Sequence, residues 1–283
     1  CFGQKRGPRS VALAGATTTI ADGIYAVGFN PALIAFQKDK PFMLQLGGVD
    51  FGVGNNYLSM AAMNAISGTT LNNNDKTNII NRLENRGGLS FDMNGQIAIP
   101  GINYASGNMA ITSNIMYMSS YVLPAGMVRL MLEGNANNPN VDMTVDMEIM
   151  SVNEMGFSFA VPYESFAIGF TLKYLQGLFY MGIDPDSSYA NFITKPDAVY
   201  GSGSYFIRQG FGGVGYGLDI GIVTKEINGM RFGASLINAF GTIGWNKPSF
   251  IKDIMKYPLK WKGERLSDEV AILYTYKIDE LSA

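Results

Sequence analysis

The feature that most constrains this chain is a two-residue alternation of apolar and small polar side chains that recurs from about residue 40 onward. Successive side chains of a β-strand point to opposite faces, so this period predicts strands whose two faces meet different surroundings. The alternation is clearest at 108–121, 141–161, 166–180, 213–225 and from 230 onward. Weaker alternation predicts strands at 42–54, 88–105, 189–207 and 268–278, with a tenth near 250–262.

Short turn signals separate the alternating segments. Asn228-Gly229 is typical of a tight hairpin turn, and residues 106–108 and 162–164 join neighbouring strands in the same way. Because short turns make neighbouring strands antiparallel, we expect an all-β antiparallel fold. Two interruptions, at 75–86 and 124–133, predict helical loop insertions: the first has helical spacing, the second opens with Pro, and each is followed by a glycine stop.

The composition of the two rows favours a transmembrane barrel over a soluble sandwich. The alternating runs last about 15 to 20 residues, whereas strands of globular proteins usually have about 5 or 6. The polar rows consist mainly of Gly, Ser, Thr and Asn, and charged residues make up only 16% of the chain. In a barrel, lipid accepts the apolar row, the lumen accepts the small polar row, and closure satisfies the backbone. A soluble β-rich binding module is the alternative.

Several classes of function are excluded or disfavoured by composition. The chain has no His and a single Cys, Cys1, which removes imidazole catalysis, His-bound zinc, disulfides and CxxC chemistry. The formal charge of −2 gives no basic surface for nucleic acid. The chain contains no apolar run long enough for a membrane-spanning helix, so strands would have to cross a bilayer. We therefore expect no enzyme activity, cofactor or metal, and no nucleic-acid partner.

Charged side chains in the polar rows are candidates for the lumen of such a barrel. Asp142, Asp146, Glu148 and Glu154 fall on one predicted strand face. They form either a solvated acidic stripe or pairs with cations of other strands, such as Lys173, Lys225 or Arg231. The candidate lumen residues are Asp142, Asp146, Glu148, Glu154, Lys173, Asp219 and Lys225.

The N-terminal residues differ in kind from the strands. Small residues dominate 7–36, which contains Asp22-Gly23 and the triplet Asn30-Pro31-Ala32. This opening resembles the N-terminal hatch of FadL-like outer-membrane proteins, and the Gly-rich run 213–221 with 231–245 resembles paired strands of that superfamily. The resemblance extends over 1–54 and 141–247, and includes function-unassigned branches and the PorV-like barrels of type IX secretion.

The resemblance implies an N-terminal hatch at 1–40, held by Asp22, Asn30, Pro31 and Ala32, followed by barrel strands over 41–283. The family barrel has fourteen strands, so we expect this chain to be C-terminally incomplete. The implied function is binding or passage of small hydrophobic molecules, such as long-chain fatty acids, across the bacterial outer membrane. The alternative is a barrel that anchors or shuttles exported proteins. Cys1 is either the remnant of a signal peptide or a lipid-modified N-terminus.

Overall fold

The computed structural model of the protein describes residues 16–37, 42–59, 67–136, 138–196, 199–246 and 270–281, with residues 10, 12, 13, 62 and 64. The strands are β1 Phe42–Leu44, β2 Gly48–Asn55, β3 Leu89–Ala98, β4 Tyr104–Ser106, β5 Met109–Leu123, β6 Asn140–Asp142, β7 Asp146–Pro162, β8 Phe166–Ile183, β9 Tyr189–Thr194, β10 Val199–Phe211, β11 Gly213–Thr224, β12 Gly233–Trp245 and β13 Val270–Leu281. The helices are α1 Asn73–Glu84, α2 Ala125–Glu133 and the 3-10 helices Gly23–Ala26, Pro31–Phe36 and Pro185–Ser187.

All the strands pair antiparallel in one sheet, as the alternation predicts. The described part of the chain has thirteen strands rather than nine, because four of the predicted segments each divide in two. The divided segments are those at 42–54, 88–105, 141–161 and 189–207. The strand expected near 250–262 lies outside the described residues.

The divided strands still run side by side in chain order. The β1–β2 stretch pairs with the β3–β4 stretch, which in turn pairs with β5. The order continues through β7 and β8 to the β10–β11 stretch, which lies along β8 in two parts. On its other edge, β10–β11 pairs with β13 and β12. This meander curls into a half-barrel.

The turns and helices agree with the sequence signals. Asn228 and Gly229 both have positive φ, 53° and 77°, as the tight hairpin turn requires. Asn72 and Asp75 form a reciprocal capping box at the start of α1, and Gly134 ends α2 with φ 72°. None of the helices within the described residues has the length and apolar content needed to cross a membrane.

The two faces of the sheet differ in polarity, and the buried face is the polar one. We call the face that carries the N-terminal segment, residues 16–37, the inner face and the opposite face the outer face. Buried inner residues include Thr112, Asn114, Gly156, Ser158, Thr171 and Gly217. Large outer residues that are exposed include Phe51, Ile111, Phe157, Leu172, Val214 and Tyr216. This distribution is the reverse of the usual one in a water-soluble protein.

The N-terminal segment is tied to the inner face by packing and by one buried amide. Its core consists of Ala21, Ile24, Ala26, Val27, Ala32, Leu33 and Ile34 against Ala105, Ala110, Ala160, Ala167 and Val223 of the sheet. Asn30 is fully buried, and its Nδ2 donates to the carbonyl oxygens of Ile222, at 3.1 Å, and Thr18, at 3.0 Å. Its Oδ1 accepts from the backbone N–H of Ala32 at 3.1 Å. Asn30 therefore links this segment to β11.

Two strand glycines make this close approach possible. A methyl group on Gly169 would overlap the backbone nitrogen of Ala32, and one on Gly221 would overlap the side-chain oxygen of Asn30. A strand glycine often marks a place where another backbone comes near. Gly213 and Gly215 of β11 admit a close neighbour in the same way, because a methyl group at either position would overlap the backbone of β12.

We expect Gly169→Ala to loosen the N-terminal segment, because the added methyl group meets backbone that cannot rotate away. Overpacking of this kind costs about 1–3 kcal/mol. Hydrogen exchange of peptides covering residues 16–37 should rise roughly tenfold or more. Gly241→Ala is the matched control, because nothing lies within 4 Å of a methyl group there. Equal exchange in the two variants would contradict this docking.

Candidate functional site

A buried ionic cluster lies on the inner face beside the N-terminal segment. The Lys173 ammonium is 2.8 Å from Asp219 Oδ1 and 3.3 Å from Glu154 Oε2. The side chains of Lys173 and Asp219 are 2% and 0% exposed. Lys173 Nζ also donates to Asn238 Oδ1 at 2.8 Å. Three neighbouring strands, β7, β8 and β11, therefore share one charged layer.

The backbone of β12 is distorted where it meets this layer. Asn238 has φ 54°, and the β11–β12 register shifts between Leu218 and Ile220. Asn238 N–H donates to Asp219 Oδ1 at 2.7 Å. The irregularity thus adds a hydrogen-bond donor to the buried carboxylate of Asp219, which offsets part of the cost of its burial.

A cavity of about 420 Å³ adjoins the ionic cluster on the inner face. It is lined by Met116, Met118, Glu148, Met150, Val152, Glu154, Leu175, Tyr180, Asn238, Gly241, Thr242, Ile243 and Trp245. Eight of these side chains are apolar or aromatic, and the polar ones are Glu148, Glu154, Asn238 and Thr242. A cavity of this size and composition is typical of sites for small organic molecules.

Trp245 fixes one wall of the cavity. Its indole stacks on the Tyr180 ring, with centroids 5.5 Å apart and an interplanar angle of 29°. A methyl group on Gly177 would lie 2.6 Å from Trp245 Cζ3, and one on Gly210 would lie 2.8 Å from Trp245 Cβ. The two glycines of β8 and β10 therefore leave the space that this indole fills.

The cavity ends in acidic groups on the side away from the N-terminal segment. Tyr180 O–H donates to Glu148 Oε1 at 3.3 Å. Glu148 and Asp146 also line an adjoining cavity of about 250 Å³, which contains Arg208. The Arg208 guanidinium is 3.8 Å from Asp184 Oδ2. This end of the inner face thus has three carboxylates, those of Asp146, Glu148 and Asp184, near the single guanidinium of Arg208.

The acidic stripe expected over 141–161 is only partly continuous. Asp142 belongs to the separate strand β6, which pairs with β9, so the expectation of one strand face for all four carboxylates is wrong. Asp142 is exposed, and its Oδ1 accepts from the Thr144 backbone N–H at 2.9 Å in a local turn. The structure brings Glu154 together with Lys173 and Asp219, and it leaves Glu148 and Asp146 at the far end.

The remaining predicted site residues lie at the opposite end of the inner face. Asp22 is half-buried immediately before the first 3-10 helix, and its carbonyl accepts from Tyr25 N–H at 3.0 Å. Pro31 is buried at the first position of the second 3-10 helix. Lys225 follows the end of β11, half-buried, and its backbone N–H donates to Ser165 O at 2.9 Å. Asp22 and Pro31 therefore lie within the N-terminal segment, and none of the three lines the 420 Å³ cavity.

Sequence reasoning missed most of the cavity wall, although a signal was present. Met116 and Met118 interrupt the polar row of β5, and Met150 and Val152 interrupt that of β7. Large apolar residues at inner positions of an otherwise polar row indicate that these side chains pack against one another across neighbouring strands. Their even-numbered positions, which place them on the inner face, were the signal in the sequence. β5 pairs with β7 in the register that brings these side chains together.

The lining of this site suits binding of a small molecule. Within the described ranges, no group of three His, Cys, Asp or Glu side chains is arranged to hold a metal ion. Apolar walls, one aromatic pair and carboxylates at two edges suit a molecule with an apolar body and one polar group.

Comparison with known protein families matches residues 31–208 to the family of unknown function DUF5723. The chain belongs to the DUF5723 family. The DUF5723 match contains Met116, Glu148, Met150, Glu154 and Lys173, and ends before Asp219 and Trp245. No curated protein and no solved structure matches the chain.

Proposed function

We propose that this protein is a β-barrel-type protein of the bacterial outer membrane that binds a small, largely apolar molecule in the inner-face cavity. The observation that carries the proposal is the inverted polarity of the sheet together with the apolar cavity on its polar face. In this proposal the N-terminal segment is a hatch that covers one end of the inner face.

The outer face supports contact with lipid. Leu172 and Tyr216 are 54% and 59% exposed, and many other outer-face side chains are large and apolar. Contiguous exposed apolar surface of this extent marks an interaction with a membrane or a partner. The strands β7 and β8 have 17 and 18 residues, more than the 9–11 or so that a bilayer requires.

The inner face supports binding of a small molecule rather than a simple water-filled pore. A pore needs a polar lining throughout. Here Met116, Met150 and Trp245 line a cavity large enough for a ligand of modest size. Methionine side chains adapt to irregular apolar ligands.

We expect Met150→Trp to block this cavity and to weaken binding of an apolar probe by about tenfold or more, because the larger indole occupies ligand volume. The measurement is a titration of the detergent-solubilised full chain with N-phenyl-1-naphthylamine, whose fluorescence increases in apolar sites. Met155→Trp is the matched control, because Met155 lies on the same strand and is 41% exposed on the outer face.

Three further outcomes separate the proposal from its alternatives. Release of the full-length protein from membranes by carbonate alone would contradict the membrane assignment and favour a soluble binding module. Detergent-solubilised protein that brings down exported proteins but neither lipid nor small molecules would favour the anchoring role. Equal probe affinity in Met150→Trp and Met155→Trp would remove the cavity as the binding site.

A further inference from the structure

We infer that the molecule bound in the inner-face cavity carries a positive charge, in the form of a protonated amine on an apolar body, rather than a carboxylate. This inference rests on the proposed function, and it specifies the chemical class of the ligand. The charge and hydrogen-bonding state of the groups around the cavity carry it.

Thirteen residues line the cavity, and two of them are charged: Glu148 and Glu154. They lie at different levels of β7, so a ligand that spans the cavity meets a carboxylate at either end. An anionic head group would be placed against like charge at the buried Glu154 or at the exposed Glu148, which costs binding free energy. A cationic head group would gain from the same field.

The neighbouring cations are already engaged. Lys173 contacts Glu154 and Asp219 within 3.3 Å, so two carboxylates share one ammonium and one negative charge is in excess. Asp219 Oδ2 is buried and accepts no hydrogen bond from the described residues. Arg208 lines the adjoining cavity rather than this one, with Asp146 and Glu148, and pairs with Asp184. The cavity therefore keeps its negative field.

Glu148 is the side chain best placed to receive the amine. Its Oε1 accepts the Tyr180 hydroxyl at 3.3 Å, and Tyr180 stacks on Trp245. A cation held by Glu148 would thus lie near the hydroxyl oxygen of Tyr180, which can accept a hydrogen bond from an ammonium group. The apolar body would then extend along Met116, Met118 and Met150 towards the ionic cluster.

Three probes of equal length test the inference: decylamine, decanol and decanoate. Each is titrated against the full chain in phosphatidylcholine nanodiscs, with Trp261 replaced by Phe so that the fluorescence reports Trp245 alone. Empty nanodiscs correct for partition into lipid. We expect decylamine to bind about tenfold or more tighter than decanoate, with decanol between them.

The Glu148→Gln variant assigns the preference to one side chain. We expect it to remove most of the advantage of decylamine while leaving the affinity for decanol within about twofold, which also shows that the cavity is intact. Glu164→Gln is the matched control, because Glu164 is exposed in the β7–β8 turn, outside the cavity. It should leave all three affinities unchanged.

The two proposals fail in different ways. Binding of decanoate as tight as or tighter than that of decylamine would overturn the inference and leave the apolar site intact. An advantage of decylamine that survives in Glu148→Gln would overturn the assignment to this carboxylate. No change in Trp245 fluorescence with any of the three probes would overturn the proposed function itself.

Discussion

Replacement of Lys173 by Met is expected to lower the free energy of unfolding by about 3–5 kcal/mol, because it leaves Glu154 and Asp219 buried without their shared cation. Two carboxylates then face each other in a poorly solvated layer, and Asn238 loses the ammonium as its donor. The measurement is urea-induced unfolding of the detergent-solubilised protein, followed by tryptophan fluorescence.

Two further variants separate loss of charge balance from loss of packing. Adding Glu154→Gln and Asp219→Asn to Lys173→Met should restore most of the stability, since the layer then contains no uncompensated charge. Lys225→Met removes an ammonium outside the cluster and should change stability by less than about 0.5 kcal/mol. A triple variant as unstable as Lys173→Met would show that the aliphatic stem of Lys173, rather than its charge, stabilises the fold.

Replacement of Leu172 by Arg is expected to cost about 2–4 kcal/mol in lipid vesicles, because in the proposed membrane arrangement it places a charge in contact with lipid on the outer side of β8. Leu172 lies opposite Phe157 on β7 and Leu218 on β11, within the apolar outer face. Urea unfolding of the protein reconstituted in phosphatidylcholine vesicles gives the free energy. If water rather than lipid covers this face, the same change should alter stability by no more than about 0.5 kcal/mol.

The position of the arginine provides the control for this experiment. Glu164→Arg places the same side chain in the exposed β7–β8 turn, where only a small effect is expected. Leu172→Phe keeps the outer face apolar and should also be nearly neutral in vesicles. A loss of stability with Glu164→Arg as large as that with Leu172→Arg would show that the membrane is not the cause.

The two-residue alternation and the residues at the turns were enough to predict most of the secondary structure. The alternation of β7, β8, β11 and β12 is visible in sequence because side-chain direction has a period of two in any strand. Turns such as Asn228-Gly229 depend on local residues, so they too can be predicted without knowledge of tertiary contacts. The breaks that divide four predicted strands could not be predicted in this way, because they depend on which neighbouring strand each short strand pairs with.

The candidate site was predictable only in its polar half. Glu154 and Lys173 stood out as charges in polar rows, and their pairing was one of two interpretations that the sequence allowed. Met116 and Met150 looked like exceptions to a pattern until β5 and β7 were placed in register. A cavity is a property of several strands together, so no single segment reveals it.

The sequence by itself determined that strands would form, that they would be antiparallel, and that each would have one apolar and one small polar face. Only the tertiary structure decided which face is covered, because coverage depends on the curl of the sheet and on the N-terminal segment docking at Gly169 and Gly221. It also decided which charges meet, since Lys173 and Asp219 are 46 residues apart in the chain and are joined by the pairing of β8 with β11. Local side-chain direction is encoded within a few residues, whereas burial and charge pairing are set by contacts between distant segments.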